Sequence, residues 1–441
     1  APADIRKEGS AFDLPMALGI LGATALFKRE AYGACMFLGE LALDGLIRPV
    51  KGALPMAITA KNRGFKGLYL PAENAPEAAV VEGIDIYPVE TLSQVVGALR
   101  GIAPITPLEI DIGSLFQKAR SEVDFRDIKG QESAKRAMEI SAAGGHNLIM
   151  IGPPGSGKTM LAKRLPTILP ELSFEESLET SKVYSVLGLM PKGQGLITIR
   201  PFQAPHHTIS DAGLIGGGQT PKPGQVSLSH NGVLFLDELP EFRRNVLEVL
   251  RQPMEDGQVT ISRANSTVSY PAQFMLVAAM NPCPCGFLGD TKRECTCTYV
   301  QIQRYRAKIS GPLLDRIDLH LDVPAVPYRD LASVEEGPDS SEILNRVVQA
   351  RGLQQQRFKR AKIHTNAHMN SRHLKQFCKI GAESSALLEK AMDRFGLSAR
   401  AHARILKLAR TIADLAQSRD IRAPHIAEAI QYRTLDRKGL R

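Results

Sequence analysis

Nowhere in this 441-residue sequence does an apolar run approach the ~18 residues a helix needs to cross a bilayer, so no membrane span is expected. The opening Ala1-Pro2-Ala3-Asp4-Ile5-Arg6-Lys7 lacks the basic-then-apolar order of a signal peptide, which makes the cytoplasm the expected location. It also lacks a start Met, as expected of a chain that begins partway through a longer one. There is no internal repeat and no low-complexity tract, which argues against a solenoid and against a disordered scaffold. Cysteine is sparse, six in all, and in a reducing compartment these residues should be free thiols or metal ligands rather than disulfides.

What is present is apolar content ample for packed cores, 44%, on a length that suits two to four domains at roughly 150 residues each. Charge is unevenly spread. The net is +9, yet Asn345 to Arg441 carries 21 Lys and Arg against 7 Asp and Glu, so the rest of the chain is slightly acidic. A basic lobe beside a near-neutral core suits a protein that neutralises nucleic-acid phosphates. A solvated helical surface is the plainer alternative.

The densest chemistry lies in Ile149-Met150-Ile151-Gly152-Pro153-Pro154-Gly155-Ser156-Gly157-Lys158-Thr159-Met160. An apolar strand feeds a glycine-rich turn that ends in Gly-Lys-Thr and opens a helix. A polyphosphate needs backbone N–H groups aimed inward, a Lys for the β- and γ-phosphates and a hydroxyl for Mg²⁺, and the helix adds the positive end of its dipole. Gly152 to Met160 should therefore bind a nucleoside triphosphate. Downstream, Gly232 to Glu238 reads as an apolar strand ending in two carboxylates. Asp237 suits the magnesium acid and Glu238 the general base that polarises an attacking water. Phe274 to Met280 forms another buried strand pattern, and Asn281 at its end suits a polar contact between the acids and the γ-phosphate.

Organisation follows from pattern. Residues 1–95 read as a small α/β domain and 96–118, with Pro104 and Pro107, as a linker. Residues 119–330 alternate strands and helices, as in a parallel sheet with crossover helices, and 331–441 are helical by periodicity.

The P-loop, the Asp-Glu strand and Asn281 resemble an AAA+ ATPase. Val123 to Gln131, which includes Ile128, resembles the segment that frames adenine there. Pro205-His206-His207-Thr208, Ile215-Gly216-Gly217-Gly218, Glu248 to Gly257 and Ser310 to Asp318 narrow the likeness to the magnesium-chelatase-like subfamily, in its branch of bacterial competence proteins. The likeness implies an α/β fold with an AAA+ P-loop sheet core, a helical lid and an N-terminal Lon-protease-like α/β domain. It also implies a homo-hexameric ring using ATP and Mg²⁺, with DNA as partner and branch migration of recombination intermediates in natural transformation as the task. A chelatase-type motor that remodels a protein partner is the alternative. A nucleotide-binding scaffold without turnover fits the intact Asp237, Glu238 and Arg316 poorly.

By the same resemblance Arg316 matches the arginine finger that reaches a neighbouring subunit's site, with Arg306 as substitute, and Arg400 matches the sensor-2 arginine, with Arg404 one turn on as runner-up. Residues from about 185 to 218 resemble an insert, and 258–271 a hairpin, that project into the pore, where Lys192, Arg200 and Arg263 would meet DNA phosphates. His206 and His207, being contiguous, do not readily put both rings on one ion, and packing is the expectation for them. Cys283 and Cys285, then Cys295 and Cys297 after nine residues, have the composition of a four-thiolate Zn²⁺ site, or are four reduced thiols. In the Lon-like segment, Ala11 stands at the nucleophile's position and Leu54 at that of the catalytic Lys, so no peptide cleavage is expected.

Overall fold

The computed structural model describes residues 10–433 except 29–31, 117–122, 219–220, 264–265, 291–292, 329–336 and 362. The chain forms two compact units, Ala1–Ala119 with Leu172–Ile199, and Arg120–Glu171 with Arg200–Arg441.

In the first unit, Cys35–Phe37, Gly67–Pro71 and Asp85–Val89 pair as a three-stranded parallel sheet in that order. Phe37, Tyr69 and Tyr87 stack across it with ring centroids 5.0 and 4.5 Å apart. The helices Ala53–Asn62 and Ala75–Ala79 supply the crossovers. The range 96–118 is less of a linker than expected: a helix capped by Thr91 and Gln94 runs to Leu99, and Leu108, Leu115 and Phe116 pack on the core.

The range 119–330 expected for a single core domain is interrupted, because Leu172–Ile199 groups with the first unit. A capping box of Ser173 and Glu176 starts the helix Phe174–Leu187, and Gly188 in the left-handed region ends it. Ser185 carries the reason for the grouping. Its carbonyl accepts from Gly52 N at 2.8 Å and its hydroxyl from Leu54 N at 3.2 Å, while Leu196 and Phe174 join the hydrophobic cluster around Leu54 and Leu68. The expected insert over 185–218 is thus divided at Ile199.

The second unit is built on five parallel strands in the order Leu319–Asp322, Leu148–Ile151, Met275–Met280, Val233–Leu236, Phe202–Gln203. The three central strands are buried along their whole length, which is why they read as unbroken apolar runs. Leu148, Met150, Val233 and Phe235 face one cluster and Ile149, Ile151, Leu234 and Leu236 the other. Helices Ser340–Arg357, Ser371–Phe377, Ala382–Phe395, Ala399–Leu415 and Ala423–Gln431 form the lid, whose apolar faces continue the first of these clusters. The lid helix Ser340–Arg357 reaches the free carbonyls at the end of helix Glu132–Gly144, Arg351 on Ala142 O and Gln354 on Ala143 O.

A buried polar node joins the two halves of this unit. His146 Nδ1 lies 2.9 Å from Asp318 Oδ2 and its Nε2 2.8 Å from Thr411 Oγ1 of the lid. Arg404 Nη1 of the same lid helix is 2.8 Å from Asp318 Oδ1. Burial alone would raise the Asp318 pKa, but Arg404 and His146 outweigh it and hold the carboxyl below its usual range.

Burial also depresses His146 and His320, and it brings His368 down to about 4. The unfolded chain takes up these protons below pH about 6.5 while the folded chain does not. Stability should therefore be full above that pH and fall on acidification towards the folded values. Thermal midpoints measured from pH about 7.5 to about 5 should drop steadily; a flat profile would contradict the burial of these rings.

Candidate active site

Register aligns the carboxyl ends of the central strands. Ile151 pairs with Met280 and Leu236 with Ala278, so the P-loop, Asp237-Glu238 and Asn281 leave the sheet at one edge. They line a cleft of about 450 Å³ with Pro154 to Met160, Asp237, Glu238, Met280 and Asn281 on its walls, a size in the range of small-ligand sites. Gly155 and Gly157 sit at φ +75° and +88°, where a Cβ is strained. A Cβ on Gly152 would lie 2.0 Å from Val323 O, so only glycine lets the loop turn against the neighbouring strand.

Lys158 Nζ is held by Gly152 O at 2.8 Å and Pro153 O at 2.9 Å, with Asn281 Oδ1 at 3.4 Å. Burial pulls its ammonium pKa down and the carboxylates of Asp237 and Glu238 pull it back. Thr159 Oγ1 donates to Asp237 Oδ2 at 2.7 Å, and Glu238 N to Asp237 Oδ1 at 2.9 Å. Glu238 has φ +52°, a left-handed backbone on a non-glycine residue, of the kind that clusters at functional sites.

The arginines are placed elsewhere. Arg316 follows the helix Gly311–Leu314, bonds Pro312 O at 2.6 Å and pairs with Glu255. It lines a separate cavity of about 490 Å³ with Glu248, Arg251, Pro253 and Val259. It does not line its own chain's P-loop cleft. Arg400 Nη1 is 2.9 Å from Asp315 Oδ2 and remains 71% exposed, whereas Arg404 is spent on buried Asp318. Arg306 is tied to Pro282 O at 3.2 Å.

Other expected residues fare differently. Ile128 is 0% exposed in the core, so its side chain does not line the cleft. Arg200, expected at DNA, instead gathers the carbonyls of Pro170, Asn231 at 2.7 Å and Glu171 at 3.2 Å; three backbone acceptors bracket one guanidinium and take it from phosphate duty. Lys192 belongs to the first unit, 93% exposed and 3.6 Å from Glu73. The hairpin Gln258–Arg263 with Ser266–Pro271 forms as expected, and the side chain of Arg263 lies outside the described residues. His207 does more than pack. Its Nδ1 lies 3.4 Å from Glu238 Oε2, a contact between two turns that pattern reading missed because the residues are far apart in sequence.

The four thiols do converge. Sγ of Cys283, Cys285, Cys295 and Cys297 all lie within 4.8 Å of one another, with Cys283–Cys285 at 3.3 Å, Cys285–Cys295 at 3.6 Å and Cys283–Cys295 at 3.7 Å. Their loop backs onto the P-loop, where a Cβ on Gly286 would meet Pro154 Cδ at 2.6 Å.

Residues 124–331 match the family model for magnesium chelatase, subunit ChlI, and 337–433 that for its C-terminal part. Residues 1–74 match the model for subunit ChlI of Mg-chelatase. The chain is 44% identical to competence protein ComM of Haemophilus influenzae over 99% of its own length and 85% of that protein's. It is 43% identical to YifB of Escherichia coli over 99% and 84% respectively. The magnesium-chelatase 38 kDa subunit of Rhodobacter capsulatus is 23% identical over 37% of the chain and 52% of that protein.

Lys158→Ala removes the one ammonium inside the cleft's phosphate-sized loop. Its affinity for a fluorescent ATP analogue should fall at least about tenfold with the fold retained, since charge-assisted contacts are worth about 1.5–3 kcal/mol. Unchanged affinity would move the nucleotide elsewhere.

Proposed function

Because the chain belongs to the magnesium-chelatase-like family of AAA+ ATPases, in company with ComM and YifB, we propose that it is a homo-hexameric, ATP-driven DNA motor that promotes branch migration of recombination intermediates. The family uses ATP and Mg²⁺. Thr159 and Asp237 offer two hard oxygens 2.7 Å apart, a donor set that fits Mg²⁺, which when bound supplies neutralisation of phosphate charge. Lys158 and the backbone of Gly155 to Thr159 hold the phosphates. Glu238 accepts a proton as water oxygen bonds to the γ-phosphorus; the bond to the bridging oxygen breaks, and ADP leaves with the electron pair. Asn281 positions that water or the γ-phosphate. Arg316 serves a neighbouring subunit's cleft as finger, and Arg400 reports nucleotide to the lid.

The observation that carries the DNA reading is the positive charge on the lid, where Lys359, Arg360, Arg372, Lys375 and Lys390 are all exposed. Phosphate neutralisation by such a surface supplies non-specific affinity. A chelatase-type motor working on a protein partner has no use for it, although the likeness to magnesium-chelatase subunits keeps that reading as the alternative. Lys192 and Arg263 remain candidate pore contacts. The first unit, with Ala11 and Leu54 at the two catalytic positions, is proposed as a Lon-like domain that cuts no peptide.

The four thiols are proposed to hold Zn²⁺. Their closest separations approach the edge of about 3.8 Å of a tetrahedron with Zn–S near 2.3 Å, and Cys285 N points at Cys297 Sγ at 3.3 Å, as a donor that favours thiolate.

Two measurements test this reading. On a synthetic three- or four-way junction, the protein should move the branch with ATP and fail as Lys158→Ala; no movement, with turnover indifferent to DNA, would favour the protein-remodelling alternative. Metal analysis of protein purified without chelator should find about one zinc per chain, lost in a Cys283→Ser, Cys295→Ser double variant. Zinc-free native protein would leave four plain thiols.

A further inference from the structure

From Ile343 to Ala382 the sequence carries nine Lys and Arg and not one Asp or Glu. Three of the nine are engaged within the lid or at its seam with the core. Arg346 pairs with Glu139 and Glu342, Arg351 bonds Ala142 O at 2.8 Å, and Arg357 pairs with buried Asp414. Lys362 lies outside the described residues. The other five, Lys359, Arg360, Arg372, Lys375 and Lys379, are exposed, and no ion pair holds any of them among the described residues.

Packing gathers these five. The turn that ends the helix Ser340–Arg357 buries Phe358, and the helix Ser371–Phe377 lays His373 and Phe377 against that ring, with centroids 6.2 and 5.6 Å away. Lys359 and Arg360 follow Phe358 directly, Arg372 precedes His373, and Lys375 and Lys379 stand two residues to either side of Phe377. The aromatic contact therefore brings two cation-bearing segments to one corner of the lid. Like charges crowded there repel, and phosphates from a partner relieve what no carboxylate of the fold does.

The chemistry of this corner also separates one nucleic-acid partner from another. Single strands are held by aromatic rings on which successive bases stack, with cations along the backbone. The chain has no Trp, and among the described residues the lid exposes no Phe or Tyr. Phe358 is buried and Phe377 is turned edge-on to it at 82°. Beside the cations, Gln355, Gln356 and Gln376 reach solvent, side chains that hydrogen-bond to phosphate and sugar. Cations and amides without stacking rings fit the backbone of a duplex, whose bases already stack on one another.

We propose that this corner of the lid is a phosphate-binding face for duplex DNA, which grips a paired arm of the branched substrate by its backbone and reads no sequence. This rests on the DNA reading above and adds which surface holds a double-stranded arm.

The test measures binding of a blunt mixed-sequence duplex, and of one of its single strands, to the full chain across a salt series. In a variant carrying Lys359→Gln, Arg360→Gln, Arg372→Gln, Lys375→Gln and Lys379→Gln, the slope of log affinity against log salt for the duplex should shrink by about 3 to 4, since each neutralised phosphate contributes about 0.9. Duplex affinity near ~0.1 M salt should fall at least about tenfold, and single-strand affinity less. A charge-keeping variant, Lys359→Arg, Lys375→Arg and Lys379→Arg, should bind like the native chain. Thermal midpoints of both should hold, because all five side chains are exposed. If the native chain binds duplex and the Gln variant keeps its affinity and slope, the lid corner is wrong and the DNA reading stands. Equal losses on duplex and single strand overturn the duplex assignment. A native chain that binds neither sinks the DNA reading and this proposal together, and uptake of polyglutamate by the same five residues would then mark a face for an acidic protein.

Discussion

The carboxylate of Asp318, sealed between His146 of the core and Arg404 of the lid, holds the second unit's working parts in one arrangement. Removing a partner from such a buried pair typically costs about 3–5 kcal/mol. Its position in the chain matters as much as its energy. Arg400 and Arg404, one turn apart on one lid helix, grip Asp315 and Asp318 on either side of Arg316, and Asn147 at the foot of the P-loop strand donates to Arg316 O at 3.0 Å. The segment around Arg316 is therefore fixed to the lid by ion pairs and to the sheet by a hydrogen bond.

The cleft depends on the sheet in a second way. Parallel strands in one register deliver their last residues to one edge, and each chemical role comes from a different strand: Lys158 and Thr159 from the first, Asp237 and Glu238 from its second neighbour, Asn281 from the strand between. The cysteine loop starts two residues after Asn281 and touches Pro154, so whatever stiffens the thiols also stiffens the wall of the cleft. Arg316 pairs with Glu255 away from that cleft.

What was legible in the sequence divides along the range of the interactions. The P-loop, the Asp-Glu strand, Asn281 and the thiol cluster were readable because adjacent residues set their geometry, through glycine φ values or through buried apolar runs. Arg200, expected at DNA from the resemblance of 185–218 to a pore insert, bonds three carbonyls from distant turns, contacts that no local pattern records. The grouping of Leu172–Ile199 with the first unit rests on Ser185 and Leu196 finding partners more than a hundred residues away in sequence. His207 escaped for a like reason, its contact with Glu238 joining two turns far apart in sequence. The resemblance put Arg400 ahead of Arg404, and in the fold Arg404 is engaged on buried Asp318 while Arg400 stays 71% exposed.

Mixing two inactive variants puts the shared site to the test. Lys158→Ala cannot bind nucleotide properly, and Arg316→Ala cannot complete a neighbour's site, so each alone should hydrolyse almost no ATP. In a mixed ring, some interfaces join an intact cleft to an intact finger, and turnover should reappear in proportion to their number. No recovery at any mixing ratio, with mixed assembly verified, would contradict a site completed by the neighbouring copy and would return Arg316 to a role within its own chain.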